Sequence, residues 1–264
     1  MKHEVEIIPY PSFEDVFVKE TNRLAKFVFL PLASIKIKND ETIGNRTLHL
    51  ISIWDTGDYK KEYFGSYRTD VNEISFEIVG EKLNYKDPIQ FPCIENLEKA
   101  YNIILEDFET QKDNYLNDLS YDTQSSKMER GGKLILEQIP NFGNFEAKFY
   151  FERITSALLS NYRFQKYGVV NSLFNDNSVY AHQISEGKYS SQNLKDFDFN
   201  QIGKVNLIDN LLLKPDFIQS DETPENSVFI GQVYEWHYIS SSSTNTYLFL
   251  DLKNNKQIQI FQWD

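Results

Sequence analysis

Only one cysteine, Cys93, occurs in 264 residues, so no disulfide within the chain can contribute to its stability. Basic residues are also few: 27 Lys and Arg stand against 39 Asp and Glu, a formal charge of −12. Nucleic acids and anionic membrane surfaces are recognised through a basic footprint, so this balance argues against both as partners. No apolar run approaches the ~20 residues of a membrane span. The opening stretch, "MKHEVEIIPYPSFEDVF", lacks the uninterrupted apolar core of a secretory signal, and a cytoplasmic address is the expectation. Glycine is sparse too, at 11 residues against 20 Phe and 16 Tyr. That ratio points to sheet-rich packing, because aromatic and β-branched side chains suit a pleated surface.

Local patterns divide the chain into strands and helices. Ser12 and Asp15 form a capping-box pattern, and Phe13, Val16, Phe17 and Leu24 recur near the helical period, which predicts a first helix there. "FVFLPLASIKIK", "TLHLISIWD" and "EISFEIVG" read as strands. After Pro92, the residues Ile94, Leu97, Tyr101, Ile104, Leu105 and Phe108 share one helical stripe. Residues 120–133, rich in turn formers and mixed charge, read as a linker or loop. "KLILEQI" and "EAKFYFERI" then read as two strands around a turn at Pro140 and Gly143, and Ile154–Tyr162 is compatible with a helix. Strands are expected again at Val228–Trp236, Tyr247–Leu252 and Gln257–Trp263, with Asn254 and Asn255 in the last hairpin. The expected fold class is α+β, a mostly antiparallel sheet with a few helices. It would form a single domain over 1–264 or two lobes parted at 120–133. "LHLISIWD" and "IQIFQWD" echo each other, a pattern that chance alone supplies among strands.

No motif brings chemistry with it. "MERGGKLIL" lacks the spaced glycine and the Ser/Thr of a phosphate loop, and it precedes an expected strand where a phosphate loop precedes a helix. His3, His49, His182 and His237 share no metal-ligand spacing, so no metal or cofactor is expected. His49, inside an apolar strand, reads as a core histidine with its hydrogen bonds satisfied. Cys93 at a helix start could be a thiolate favoured by the helix dipole, or a buried structural thiol. The carboxylates at Glu106–Glu109 read as a solvated helix face, and those of 220–225 as a turn-rich loop.

One resemblance covers the last quarter of the chain. Ile202, Gly203, Pro215, Phe217, Gln219, Ser220 and Asp221 occur in order, followed by Gly231, Gln232, Tyr247, Phe249, Gln262 and Trp263. This series resembles the C-terminal half of the YwqG-like family of bacterial proteins of unknown function. Lys204 stands where the family has a second glycine, and "VNLIDNLLL" is an insertion. The resemblance implies an α+β cytoplasmic protein without assigned chemistry, in a family sometimes found near toxin genes. Gln232 and Gln262 are expected to be buried and paired, and "SSSSTNT" to be a solvent-facing connection.

Three functions fit these observations. The first is a non-enzymatic binding protein of the immunity type, covering a basic toxin domain with Trp236, His237, Tyr238, Asp221 and Glu222 as candidate contacts. The second is a hydrolase whose site is assembled from distant loops, with Asp221 or Glu222 beside His182 or His237. The third is a module that binds a small ligand.

Overall fold

The computed structural model describes residues 4–54, 64–65, 72–91, 93–117, 121–168, 170, 207–217, 223–239 and 241–263. Among these residues the fold is α+β, with four α-helices and two antiparallel sheets. The chain divides into two compact units. One comprises residues 1–91, 207–235 and 243–264, and the other comprises 92–206 and 236–242.

The first unit opens with strand β1 (Glu4–Pro9), a stretch to which the sequence reading assigned no element. Helix α1 spans only Phe13–Val16. Its capping box is present, with the Ser12 hydroxyl and Asp15 carboxylate each bonded to the other's backbone N–H. The helix ends well short of Leu24 because Phe17 turns extended and forms a bridge to Leu83. Strands β2 (Phe29–Asp40) and β3 (Gly44–Ile53) follow, and the order β1-β2-β3 makes the smaller sheet. In β2, Ile35 and Ile37 alternate with Ser34, Lys36 and Lys38, which gives the sheet one apolar face.

The larger sheet combines β4 (Glu73–Val79) and β5 (Lys82–Asn84) with the end of the chain: β6 (Ser227–Tyr234), β7 (Thr244–Asp251) and β8 (Lys256–Trp263). Its order is β5-β4-β8-β7-β6. The β7–β8 hairpin turns as the asparagines require. Asn255 is left-handed at φ 51°, and the Asp251 carboxylate accepts from the Asn254 N–H at 2.9 Å. Strand β7 begins at Thr244, and Ser242 and Thr244 are buried. The serine tract is therefore partly interior, and the expected solvent-facing loop is shorter than 240–246.

Seven aromatic residues of this unit lie in one cluster. The Phe29 ring meets Phe17, Phe64, Phe76 and Tyr85 at centroid separations of 5.8, 5.4, 5.4 and 5.0 Å, and Phe91 joins Phe64 to Trp54. These stacked and edge-on geometries are the ones that ring quadrupoles favour. The aromatics are folding material.

The second unit is helical. It contains α2 (Leu97–Asn117), α3 (Tyr121–Gln138) and α4 (Asn144–Tyr167). Here the sequence reading is overturned at two places. Residues 121–133, expected as linker or loop, are the first part of α3, and the two expected strands at Lys133–Ile139 and Glu146–Ile154 are the end of α3 and the front of α4. The turn between them at Pro140–Gly143 is real, and Gly143 adopts φ 96° there. A left-handed Gly168 closes α4, donating its N–H to the Phe164 carbonyl at 2.7 Å. Gly131 and Gly132 are where α3 lies against α4. A Cβ on Gly131 would fall 2.1 Å from the Phe151 ring, and one on Gly132 would fall 2.6 Å from Lys148 Cγ. The two glycines are a helix-crossing contact, not a phosphate loop.

Candidate functional site

Residues 207–217, most of the "VNLIDNLLL" stretch followed by Pro215 and Phe217, fold as a strap. They run along the free edge of β6, where Asp209 and Gln232 exchange two backbone hydrogen bonds and Leu212 N–H donates to the Ile230 carbonyl. Asp216 N–H then donates to the Gln232 side-chain oxygen at 2.8 Å, and the Tyr247 hydroxyl donates to the Asp216 carbonyl, also at 2.8 Å. Phe217 lies 4.9 Å from the Tyr247 ring, against a buried cluster of Phe229, Tyr247, Phe249, Ile258 and Ile260. Gly231 is needed because Ile208 Cγ2 sits 2.7 Å from where a Cβ would stand. Phe217, Gly231, Gln232, Tyr247 and Phe249, scattered in sequence, thus form one contiguous lock that closes a sheet edge. The expected pairing of Gln232 with Gln262 is not seen: Gln232 is taken by the strap, and Gln262 is buried opposite Asn245.

The amides with the largest structural role are Gln257 and Gln259. Both are fully buried on β8, and their side chains meet the open edge of β3. Gln257 accepts from His49 N–H at 2.8 Å and donates to the His49 carbonyl at 2.6 Å. Gln259 does the same with Ile51, at 2.9 and 2.7 Å. Each carboxamide stands in for a peptide group, so the two sheets of this unit are joined where β3 would otherwise bury unpaired backbone. The His49 ring completes the joint. The Glu81 carbonyl can only accept, so His49 Nε2 carries the proton toward it at 2.8 Å, and Ser34 Oγ donates to Nδ1 at 2.8 Å. Burial lowers the His49 pKa and keeps the ring neutral. His49 is a core histidine, as its strand setting indicated.

A second buried polar group is Glu235. Its two carboxylate oxygens accept from Ser52 Oγ and Thr246 Oγ1, each at 2.6 Å, and all three residues are nearly inaccessible. In the helical unit, Asp107 on α2 receives both guanidinium arms of Arg130 on α3, at 2.7 and 2.9 Å, and the Tyr115 hydroxyl at 2.6 Å. Burial raises the Asp107 pKa, but the Arg130 and Tyr115 hydrogen bonds outweigh it and leave the carboxyl below its ordinary value. Glu106 and Glu109 are exposed, as a solvated face requires, while Asp107 turns inward to the guanidinium.

The remaining candidates separate. Cys93 is buried, and burial, aided by the Glu146 charge, pushes its thiol up to about 12. The proposed helix-dipole activation is absent, because Cys93 stands at a short 3-10 turn (Ile94–Asn96) and not at the end of α2. Trp236, His237 and Tyr238 do not continue β6. Glu235–His237 form a 3-10 turn in which Trp236 and His237 are half-buried, and Tyr238 after it is fully buried. Tyr238 therefore presents no surface to a partner. Asp221, Glu222 and His182, like Ile202, Gly203, Gln219 and Ser220 of the resemblance, lie outside the described residues. Among the described residues, no three His, Cys, Asp or Glu side chains are grouped to hold a metal ion. No described helix is long and apolar enough to cross a membrane. No family model, curated protein or solved structure matches the chain.

Proposed function

We propose that this chain is a non-enzymatic binding protein that covers a basic protein partner, in the manner of an immunity protein that neutralises a toxin domain by direct contact. One observation supports this reading above the others. On α2 the exposed positions Glu98, Asn102, Glu106, Glu109 and Asp113 follow one another at steps of three and four residues, which places four carboxylates along one side of the helix. Lys112 answers Glu109, and Lys166 lies 3.6 Å from Asp113, while Glu98 and Glu106 are open. In a chain of net charge −12, such a row attracts and orients a positively charged surface. Surface ion pairs are individually weak, so the row would act on association rate and partner choice more than on affinity. The test is native pull-down from the source lysate with mass spectrometry, joined to a cell-protection assay against each captured protein. A basic protein whose toxicity is suppressed by co-expression is the expected result. Recovery of no basic partner, with no protection, overturns the reading.

A further inference from the structure

Resting on that reading, we infer that the docking surface is the end of the helical unit where α2 and α4 begin, and that its occupant is a basic protein segment carrying apolar anchors. Two rings mark the place. Phe145 and Phe149, one turn apart on α4, are 47% and 40% exposed, and their rings pack together at 4.2 Å. They are the only large aromatic side chains this exposed among the described residues. Apolar area of this kind costs free energy in water and is released when a partner covers it.

The neighbouring charges say what that partner must carry. Lys99 donates to the Gln138 carbonyl at 2.8 Å, which sets the start of α2 beside the end of α3, and the short turn after α3 brings α4 to the same end. Glu95, Glu98 and Glu137 are exposed here with no partner among the described residues, and Glu146 lies between the two rings in sequence. Lys99 is engaged by its carbonyl and Lys148 by Glu129, and Lys133 stands one turn before Glu137 on α3. An aromatic pair at the same end of the unit as open carboxylates matches an amphipathic segment that presents Lys or Arg around Leu, Ile or Phe. Neither a purely apolar nor an acidic partner satisfies both halves of the surface.

The test uses the full chain and a synthetic amphipathic Lys/Leu helical peptide as probe, with poly-lysine as a charge-only control. Affinities are measured for wild type, for Phe145→Ser/Phe149→Ser and for Glu95→Gln/Glu98→Gln/Glu137→Gln, each first shown to keep its circular dichroism spectrum and Tm. The inference expects the ring variant to bind the Lys/Leu peptide about tenfold more weakly than wild type, with poly-lysine unaffected. The charge variant should lose affinity for both probes and lose part of the salt dependence. Equal peptide affinity for wild type and the ring variant overturns the inference. So does a wild-type dimer that becomes monomeric in the ring variant and fails to compete with the peptide, since the occupant is then a second copy. A basic lysate protein held equally by wild type and the ring variant sinks this surface but leaves the proposed function standing. Absence of any basic partner counts against the proposed function, while the peptide measurements still decide the surface.

Discussion

Replacing Gln259 by leucine tests the joint between the two sheets. The change keeps length and volume roughly constant but removes both partners of Ile51, whose N–H and C=O are bonded at 2.9 and 2.7 Å in a fully buried setting. The two orphaned backbone groups cost about 1–3 kcal/mol each, and the added apolar burial of leucine returns about 1–2 kcal/mol, so the net loss should centre on about 2.5 kcal/mol. For a chain of this size that corresponds to a fall in Tm of about 5–10 °C in the transition of the sheet unit. Scanning calorimetry would measure it, and hydrogen exchange would show Ile51 N–H losing protection before the rest of β3. Glutamate at the same position gives a sharper version. As a carboxylate it sets a second oxygen against the Ile51 carbonyl, whereas as a carboxylic acid it can donate there and restore both bonds. The folded pKa of that glutamate is then raised, so its stabilising contribution is present at low pH and lost as pH rises through the folded value. Relative to wild type, Gln259→Glu should improve on acidification. A Gln259→Leu loss below about 0.5 kcal/mol, or a Gln259→Glu variant with no such pH response, would show that the amide is not what seals β3.

Three further outcomes follow from the same geometry. Alanine at Gly131 should destabilise the helical unit by about 1–3 kcal/mol despite alanine's better helix propensity, because its Cβ would stand 2.1 Å from the Phe151 ring; denaturant unfolding compares it with Gly132→Ala, whose loss should be smaller. His49 is neutral and its pKa is lowered in the folded state, so the unfolded chain binds the proton more readily and stability should fall as pH drops below about 6.5; urea titrations from pH 7.5 to 5 should show that slope in wild type and a flatter one in His49→Gln. With its thiol raised to about 12, Cys93 should react with a disulfide reagent at pH 8 only as fast as the unit opens, so the rate should rise steeply with sub-denaturing urea; prompt reaction in the native protein would contradict its burial.

Where sequence periodicity and packing agree, the fold was legible. The capping box at Ser12, the stripe from Leu97 to Phe108 and the asparagine turn at Asn254–Asn255 all stand as read. Failure came in α3 and α4, for identifiable reasons. Gly131 and Gly132 weaken any helix signal, and their value appears only when Phe151 is placed against them. Helix α4 is packed on much of its circumference, with Ala147, Tyr150, Phe151, Arg153 and Ile154 all buried, so apolar residues occur at both periods and a strand fits the local pattern as well as a helix. A single window holds no information about which neighbour fills the missing volume.

The residues on which polar chemistry converges were hidden for a related reason. Alternation of Gln257, Ile258, Gln259 and Ile260 resembles a strand with one wet face, yet both faces are buried and the glutamines point at another backbone. Nothing local distinguishes an amide that meets water from one that meets a peptide group 208 residues earlier in the chain. The same holds for Glu235, which needs Ser52 and Thr246, and for Asp107, which needs Arg130. In each case the side chain acts by completing a set of hydrogen bonds that other segments leave open, and such fully satisfied groups rigidify a fold. The groups that remain open are of another kind: Glu98 and Glu106 along α2 and two exposed rings at its end of the helical unit. If those rings served only the interior, serine at both positions would lower Tm and leave peptide affinity unchanged. If they serve a partner, the two measurements separate the other way.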